Sequence, residues 1–362
     1  MQSDNPASTD PQTQIDEQAA KSAKKRKLMI SVHSLAFILG FGVFAIVIYR
    51  AGYRDLYDSV SNVGWGIILI ILLNLSRHLL RAATLYLAVP PDRRTFKYRS
   101  AVAARFGGEA MTIVSFMGPF LGDATKAMLL KKDLTLSEGA SAIIIDNILY
   151  YVTVILMVLT GVTILVLTYG SSSSTETRVL FAIVSVGILI FLSISFAIMF
   201  RVTPMTHVID FLDKRGWAPG FITKRRSTIL NVENNVFQFY HNRPRDFFII
   251  FGTSLGVHLI SVAEVFLALQ FLGYNAPLTS AFIIESLTKV INAAFGFIPG
   301  TIGVYEGGNG LILRTLGYST TVGVALALVR RGAILFATSI GLGVLIWRTA
   351  LRTRTLVRPD TP

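Results

Sequence analysis

Leu278 to Leu316 reads L-T-S-A-F-I-I-E-S-L-T-K-V-I-N-A-A-F-G-F-I-P-G-T-I-G-V-Y-E-G-G-N-G-L-I-L-R-T-L, and this stretch decides the fold. It is apolar enough for a membrane, yet Pro299-Gly300-Thr301-Ile302-Gly303 cuts it in the middle. Proline removes a helical donor and clustered glycine breaks the ladder, so the cut frees backbone groups that lipid cannot satisfy. Such a break must be buried in protein or face a wet cavity. Lys97 to Lys132 has the same character, cut at Gly118-Pro119-Phe120-Leu121-Gly122.

The two segments resemble each other beyond the cut. Arg105 and Glu109 stand fourteen and ten residues before Pro119; Glu285 and Lys289 stand fourteen and ten before Pro299. Both pairs are spaced i, i+4 on one helical face, with the signs exchanged. After each cut a short half-helix runs to a serine, Ser137 or Ser319, placed to cap the next span. The spacing reads as an internal repeat at a separation of about 180 residues.

Composition sets the solvent. Of 362 residues, 52% are hydrophobic and 15% charged, and the mean hydropathy is +0.58. A soluble chain of this size cannot hide that much apolar surface, which excludes a cytosolic enzyme, a nucleic-acid-binding domain and a secreted disulfide scaffold. The absence of cysteine removes disulfides and thiolate chemistry. Residues 1–28 read as a disordered polar tail ending in the basic cluster Lys21 to Lys27, and 29–348 as one polytopic domain. Within it, repeat 1 covers about 97–168, a connection about 201–246, and repeat 2 about 278–347; 349–362 is a basic tail. Six full crossings are expected, at Met29 to Tyr49, Gly64 to Val89, Glu138 to Thr168, Arg178 to Phe200, Phe247 to Leu272 and Thr320 to Trp347.

The +13 net charge falls in clusters at the ends of apolar runs and so reports topology. The amino-terminal cluster, Arg93 to Arg99, the basic residues of 201–246 and Arg348 to Arg358 all lie on one side, with both termini cytoplasmic. The first cut segment then enters from inside and leaves through Lys131 and Lys132, while the second lies between two outside turns. The expected architecture is an all-α integral membrane protein whose two re-entrant hairpins form an inverted repeat, the layout of alternating-access carriers. Within 201–246, Phe211, Trp217, Phe221 and Phe237 lie among basic residues, and two readings stay open: helices lying on anionic headgroups, or a packed cytoplasmic hairpin.

Charges inside apolar spans cost on the order of 2.5 to 3.5 kcal/mol each, so they pair or line a path. Arg77, Arg81, Lys126, Lys289, Arg330 and Arg331 are the candidates to hold substrate, because arginine grips phosphate bidentately and half-helix amino ends attract anions. Arg105, Glu109, Asp123, Glu285 and Glu306 are candidates for pairing or charge relay, Asp123 and Glu306 also for complementing a helix dipole. Gly118, Pro119, Gly122, Pro299, Gly300 and Gly303 are the helix breaks. Asp146, Asn147, Glu264, Asn292 and Asn309 also fall inside or beside apolar spans. The alternative for Arg77, Arg81, Arg330 and Arg331 is snorkelling to an interface; for Arg105 with Glu109 and Glu285 with Lys289 it is a neutralised pair within one helix.

No enzyme motif stands in a credible context. Gly252-Thr253-Ser254-Leu255-Gly256 matches G-x-S-x-G inside a continuous apolar span, where the strand-to-helix elbow cannot form. The histidines have no metal-ligand spacing, no Walker sequence is present, and no cofactor is expected. Gly303 and Gly307 have GxxxG spacing, read as close helix packing.

F-I-P-G-T-I-G-V-Y-E from Phe297 to Glu306, followed by L-G-Y-S-T-T-V-G-V-A-L-A-L-V-R-R from Leu316 to Arg331, resembles the carboxy-terminal signature of the lysylphosphatidylglycerol synthase transmembrane-region, or flippase-like domain, family. G-P-F-L-G-D-A-T-K-A-M-L-L-K-K-D-L-T-L-S-E-G-A-S-A from Gly118 to Ala142 is similar to its other signature, with Asp123 in place of the usual glutamate and Lys126 in place of the usual arginine. The resemblance implies a plasma-membrane protein, of a prokaryotic inner membrane, that moves or presents a lipid between leaflets. Full synthases of that family add a soluble aminoacyl-transferase domain; this sequence ends fifteen residues after Trp347, so it is expected to be a stand-alone member and not an enzyme. Stand-alone members are associated with hopanoid export and with glycosylation of lipid-linked sugars. The expected function is therefore translocation of an anionic phospholipid, polyprenyl-linked lipid or hopanoid-type lipid. The alternative is a non-transporting subunit presenting lipid to a glycosyltransferase or aminoacyl-transferase partner. Membrane lipids, with an anionic headgroup, are the expected partners; nucleic acid is not, and the oligomer is unread.

Overall fold

The computed structural model describes residues 49, 53–94, 96–169, 204–215 and 226–356. The helices are α1 (Tyr53–Ser61), α2 (Gly66–Ala88), α3 (Tyr98–Val114), α4 (Gly118–Leu130), α5 (Leu136–Tyr169), α6 (Pro204–Lys214), α7 (Arg226–Asn242), α8 (Pro244–Phe271), α9 (Leu278–Ala294), α10 (Val304–Thr315) and α11 (Thr320–Leu356), and no strand occurs among the described residues. Four of them, α2, α5, α8 and α11, are long and apolar enough to cross a membrane. These match four of the six expected crossings. The other two, Met29 to Tyr49 and Arg178 to Phe200, lie outside the described residues except for Tyr49 itself, as do the amino-terminal cluster and the end of the basic tail.

Both cut segments fold as a helix, a break and a second helix. In the first, the break falls earlier than the glycines suggested: Met117 takes the left-handed conformation (φ 56°), and Gly118 and Pro119 already open α4. Gly118 and Gly122 instead let two helices touch. A Cβ on Gly118 would stand 1.9 Å from the Thr112 carbonyl oxygen, and one on Gly122 would stand 2.0 Å from Thr112 Oγ1. Farther from the tip, a Cβ on Gly108 would meet Lys126 and one on Gly107 would meet Leu129, so α3 and α4 run antiparallel at backbone contact. In the second segment Pro299 opens a 3-10 turn, Gly300 has φ 59°, and Gly303 has φ 80° immediately before α10. Gly303 therefore ends the break as the residue that caps α10. Thr288 on α9 donates to Asn309 on α10 at 3.1 Å, closing this hairpin too.

The long helices order the hairpins along the bundle. On α11, Gly323 lies against Asn309 and Gly310 of the second hairpin, Arg331 reaches Gly300 at its tip, and Gly341 and Leu345 lie against Phe106 and Gly107 of the first. From Gly323 to Leu345 is roughly 33 Å of helix at ~1.5 Å per residue. Helix α5 repeats the order: Gly139 lies by Leu130, Asn147 bonds Asp123, Tyr150 meets Lys289, and the Met157 carbonyl accepts from Ser286. The hairpins thus approach from opposite ends of the bundle. Ile113, one residue from the end of α3, stands 3.6 Å from where a Cβ on Gly300 would be, so the tips meet.

Burial follows the same axis. One apolar core gathers Ile70, Met157, Val265, Ile284, Leu313 and Leu326 around the second hairpin. Another gathers Leu85, Leu130, Ile145, Phe239 and Ile250 around the first. Between them, α2 carries Asn74, Arg77, His78 and Arg81, and α8 carries Ser254, His258, Ser261 and Glu264. A polar layer crosses the bundle between two apolar ones.

Helix α6 leans on α7 through Thr206 with Glu233 and through a two-pronged bond of Arg226 to Asp210 at 2.6 and 2.7 Å. Helix α7 packs on the bundle, with Asn235 bonding Ser141 at 3.1 Å and Phe239 in the core. Among the described residues α6 thus packs on α7 and α7 on the bundle, with Val208 and Phe211 left exposed.

Candidate functional site

The polar layer is a set of ion pairs on eight helices, α2 to α5 and α8 to α11. Arg77 on α2 meets Glu264 on α8 at 2.7 Å. Arg330 on α11 lies between Glu264 at 3.0 Å and Glu285 at 2.8 Å. Glu285 in turn holds Lys289 at 2.8 Å, one turn along α9. This cluster is closed: the Arg330 side chain is 5% exposed and its two carboxylates 1%.

A second cluster belongs to the first hairpin. Asp123 and Lys126 pair at 2.8 Å on α4, and the free oxygen of Asp123 accepts from Asn147 at 2.7 Å. Arg81 meets Asp146, beside Asn147, at 2.9 Å, and Thr84 donates to Asp146 at 2.5 Å. Arg105 and Glu109 pair at 2.9 Å on α3. Here Asp123, 36% exposed, and Glu109, 26% exposed, stay accessible, while Asp146 is buried.

Tyr150 joins the clusters. The Arg81 guanidinium lies over its ring at 4.0 Å, and its hydroxyl stands 3.5 Å from Lys289 Nζ. His258 packs on the same ring and contacts Thr153 at 3.0 Å, and Ser254 lies one turn before it within the continuous helix α8. A third group closes the second tip: Arg331 pairs with Glu306 and donates to the Gly300 carbonyl at 2.9 Å, while Glu306 accepts from the Gly303 N–H at 2.8 Å.

All eleven predicted charged positions therefore lie in or beside one polar layer, each with an opposite charge. Arg77, Arg81, Arg330 and Arg331 turn inward to acids and do not snorkel. Two further acids, Asp146 and Glu264, supply partners for Arg81, Arg77 and Arg330. Glu306 does sit in the first turn of its half-helix. Asp123 is the sixth residue of α4, too far from the amino end for the dipole role, and it serves Lys126 and Asn147. Tyr150, Thr84 and the Thr288–Asn309 pair were missed, since an aromatic or a threonine in an apolar span is ordinary sequence. Among the described residues no group of acids and histidines could hold a metal ion.

The family of the lysylphosphatidylglycerol synthase TM region matches residues 33–341, which contain both hairpins and the whole polar layer. The chain belongs to this family. Its function accordingly concerns membrane lipids, and its four apolar helices are those of a membrane protein. No curated protein and no solved structure matches the chain.

Proposed function

We propose that this family member is a lipid translocase that moves a lipid with an anionic headgroup, such as a phospholipid, a polyprenyl-linked lipid or a hopanoid-type lipid, between leaflets without catalysing a covalent step. The supporting observation is the order along α11 and α5: two broken hairpins approach from opposite ends and their tips meet at a buried ionic layer. In a bilayer those ends correspond to opposite faces, so the hairpins are re-entrant and inverted. The face bearing Arg93, Arg94, Lys131, Lys132, Arg243 and Arg348 is cytoplasmic, because turns 62–65, 272–277 and 316–319 at the other end contain no Lys or Arg. The carboxy-terminal end of α11 then lies inside, and the membrane is a plasma or inner membrane.

The clusters divide the work. The sealed Arg330 group ties α2, α8, α9 and α11 into a frame. The accessible pairs of the first hairpin, Arg105–Glu109 and Lys126–Asp123, exchange partners: a headgroup phosphate takes the cation, and the displaced carboxylate turns to water. Exchange of one anion for another keeps the buried charge nearly constant, which a lone cation at that depth could not.

The test is reconstitution into liposomes carrying labelled anionic, zwitterionic and polyprenyl-phosphate lipids, with leaflet accessibility read by dithionite. Faster transfer of the anionic lipids with protein than without is expected. Equal accessibility for every lipid would defeat the proposal and leave presentation of lipid to a partner enzyme.

A further inference from the structure

The turn between α4 and α5 shapes a cleft of about 510 Å3 lined by Arg93, Lys131, Lys132, Asp133, Leu136 and Glu138. We propose that this cleft binds a phosphate group and serves as the loading site at the outer end of the first hairpin. Charge bookkeeping within the cleft carries the idea. Glu138 is already engaged, accepting from the Thr135 N–H at 2.9 Å and hydroxyl at 2.8 Å and pairing with Arg93 at 3.2 Å. Arg93 also has Asp92 at 3.5 Å, so it is shared by two acids. Lys131 and Lys132 are exposed and form no ion pair among the described residues, and of the two carboxylates that line the cleft only Asp133 is not already engaged.

Their neighbours differ. Arg94 lies 3.7 Å from Asp246, Arg243 is bonded to the same carboxylate, and Arg94 and Arg243 also cap the Leu87 and Val89 carbonyls. A purely topological role would need positive charge on this face but no concavity. The cleft adds one, with Leu136, 42% exposed, as an apolar wall where α5 begins its apolar run. A phosphate with an acyl chain leaving along that wall fits this mixture. On α4, Lys126 lies little more than one turn deeper than Lys131, so a headgroup released from the cleft meets the Lys126–Asp123 pair next.

Phosphate has two sources, a lipid headgroup or a soluble ester, and the inference rests on the translocase reading only for the word loading. Binding is therefore measured apart from transport, on the full chain in detergent, with short-chain phosphatidylglycerol, short-chain phosphatidylcholine, glycerol phosphate and inorganic phosphate as probes. The Lys131→Gln/Lys132→Gln chain is expected to bind phosphatidylglycerol about tenfold more weakly, or about 1.4 kcal/mol, with phosphatidylcholine unaffected. The Lys131→Arg/Lys132→Arg chain is expected to bind as the parent does. Glycerol phosphate competing as well as the lipid assigns a soluble ester; competition by lipid alone assigns the headgroup. Should the double variant not fold, a salt series on the parent chain decides, since binding to exposed lysines must weaken several-fold as salt rises from about 0.05 to 0.5 M. Unchanged phosphatidylglycerol affinity in the folded variant, or salt-independent binding, overturns the site. Transfer persisting at the parent rate at low lipid fraction removes the loading role and leaves the translocase; lost binding with no transport by any form does the reverse.

Discussion

Arg330 sits between two carboxylates with almost no solvent, and each of those carboxylates holds a second cation, Arg77 or Lys289. Removing one member of such a set strands the others, at about 3 to 5 kcal/mol. Glu264→Gln is therefore expected to lower the melting temperature in detergent sharply, with Arg330→Met at least as severe. Lys126→Gln behaves otherwise: its partner Asp123 is 36% exposed and keeps Asn147, so stability should fall by only about 1 kcal/mol while anionic-lipid transfer falls at least tenfold. Melting and transfer measured on the same preparations separate frame from path; equal effects on both would erase that division. The acids were legible as charges that an apolar span must neutralise. Partners on the same helix, Arg105 with Glu109 and Glu285 with Lys289, were legible from their spacing; partners across helices were not, because Glu264 and Arg77 are 187 residues apart and nothing local in either stretch names the other. Tyr150 was invisible for a different reason: an aromatic side chain in an apolar run carries no signal until Arg81 is seen over its ring.

At the scale of elements, the hairpins depend on helices that touch at backbone distance. Gly118→Ala puts a methyl 1.9 Å from the Thr112 carbonyl, and Gly341→Leu drives a side chain into the Phe106 carbonyl, 2.2 Å from the Cβ position. Both should destabilise the fold by more than about 1 to 3 kcal/mol, the usual cost of overpacking. Gly256→Ala on α8 meets nothing within 4 Å and should be neutral or gain the helix propensity of alanine, about 0.5 to 1 kcal/mol. Thermal denaturation of the three side by side checks the ranking. Proline and glycine announced both breaks in the sequence, but the first was displaced because Met117, not a glycine, takes the left-handed turn. The cap of α5 was misplaced by two residues: Thr135 and Glu138 form the reciprocal box, which outcompetes Ser137. Ser319 does cap α11, bonding the Val322 N–H at 3.3 Å.

For the molecule as a whole, the inward-facing ionic layer connects the two hairpins through Tyr150. Replacing Tyr150 by leucine removes the ring under Arg81 and the hydroxyl by Lys289 while leaving every ion pair in place. A double-mutant cycle between Lys126→Met and Lys289→Met, read as melting or transfer, is expected to show coupling of about 0.5 kcal/mol or more in the parent and near zero in the Tyr150→Leu background. Coupling that survives the loss of Tyr150 would place the connection elsewhere. The central claim, that the hairpins enter from opposite faces, meets its most direct test in a chain that has no cysteine of its own. Lys132→Cys and Asn275→Cys, at the outer ends of the two hairpins, are labelled separately in sealed, right-side-out vesicles with an impermeant maleimide. The account predicts that Asn275→Cys reacts at once and Lys132→Cys only after the membrane is opened; labelling of both from the same side would contradict it.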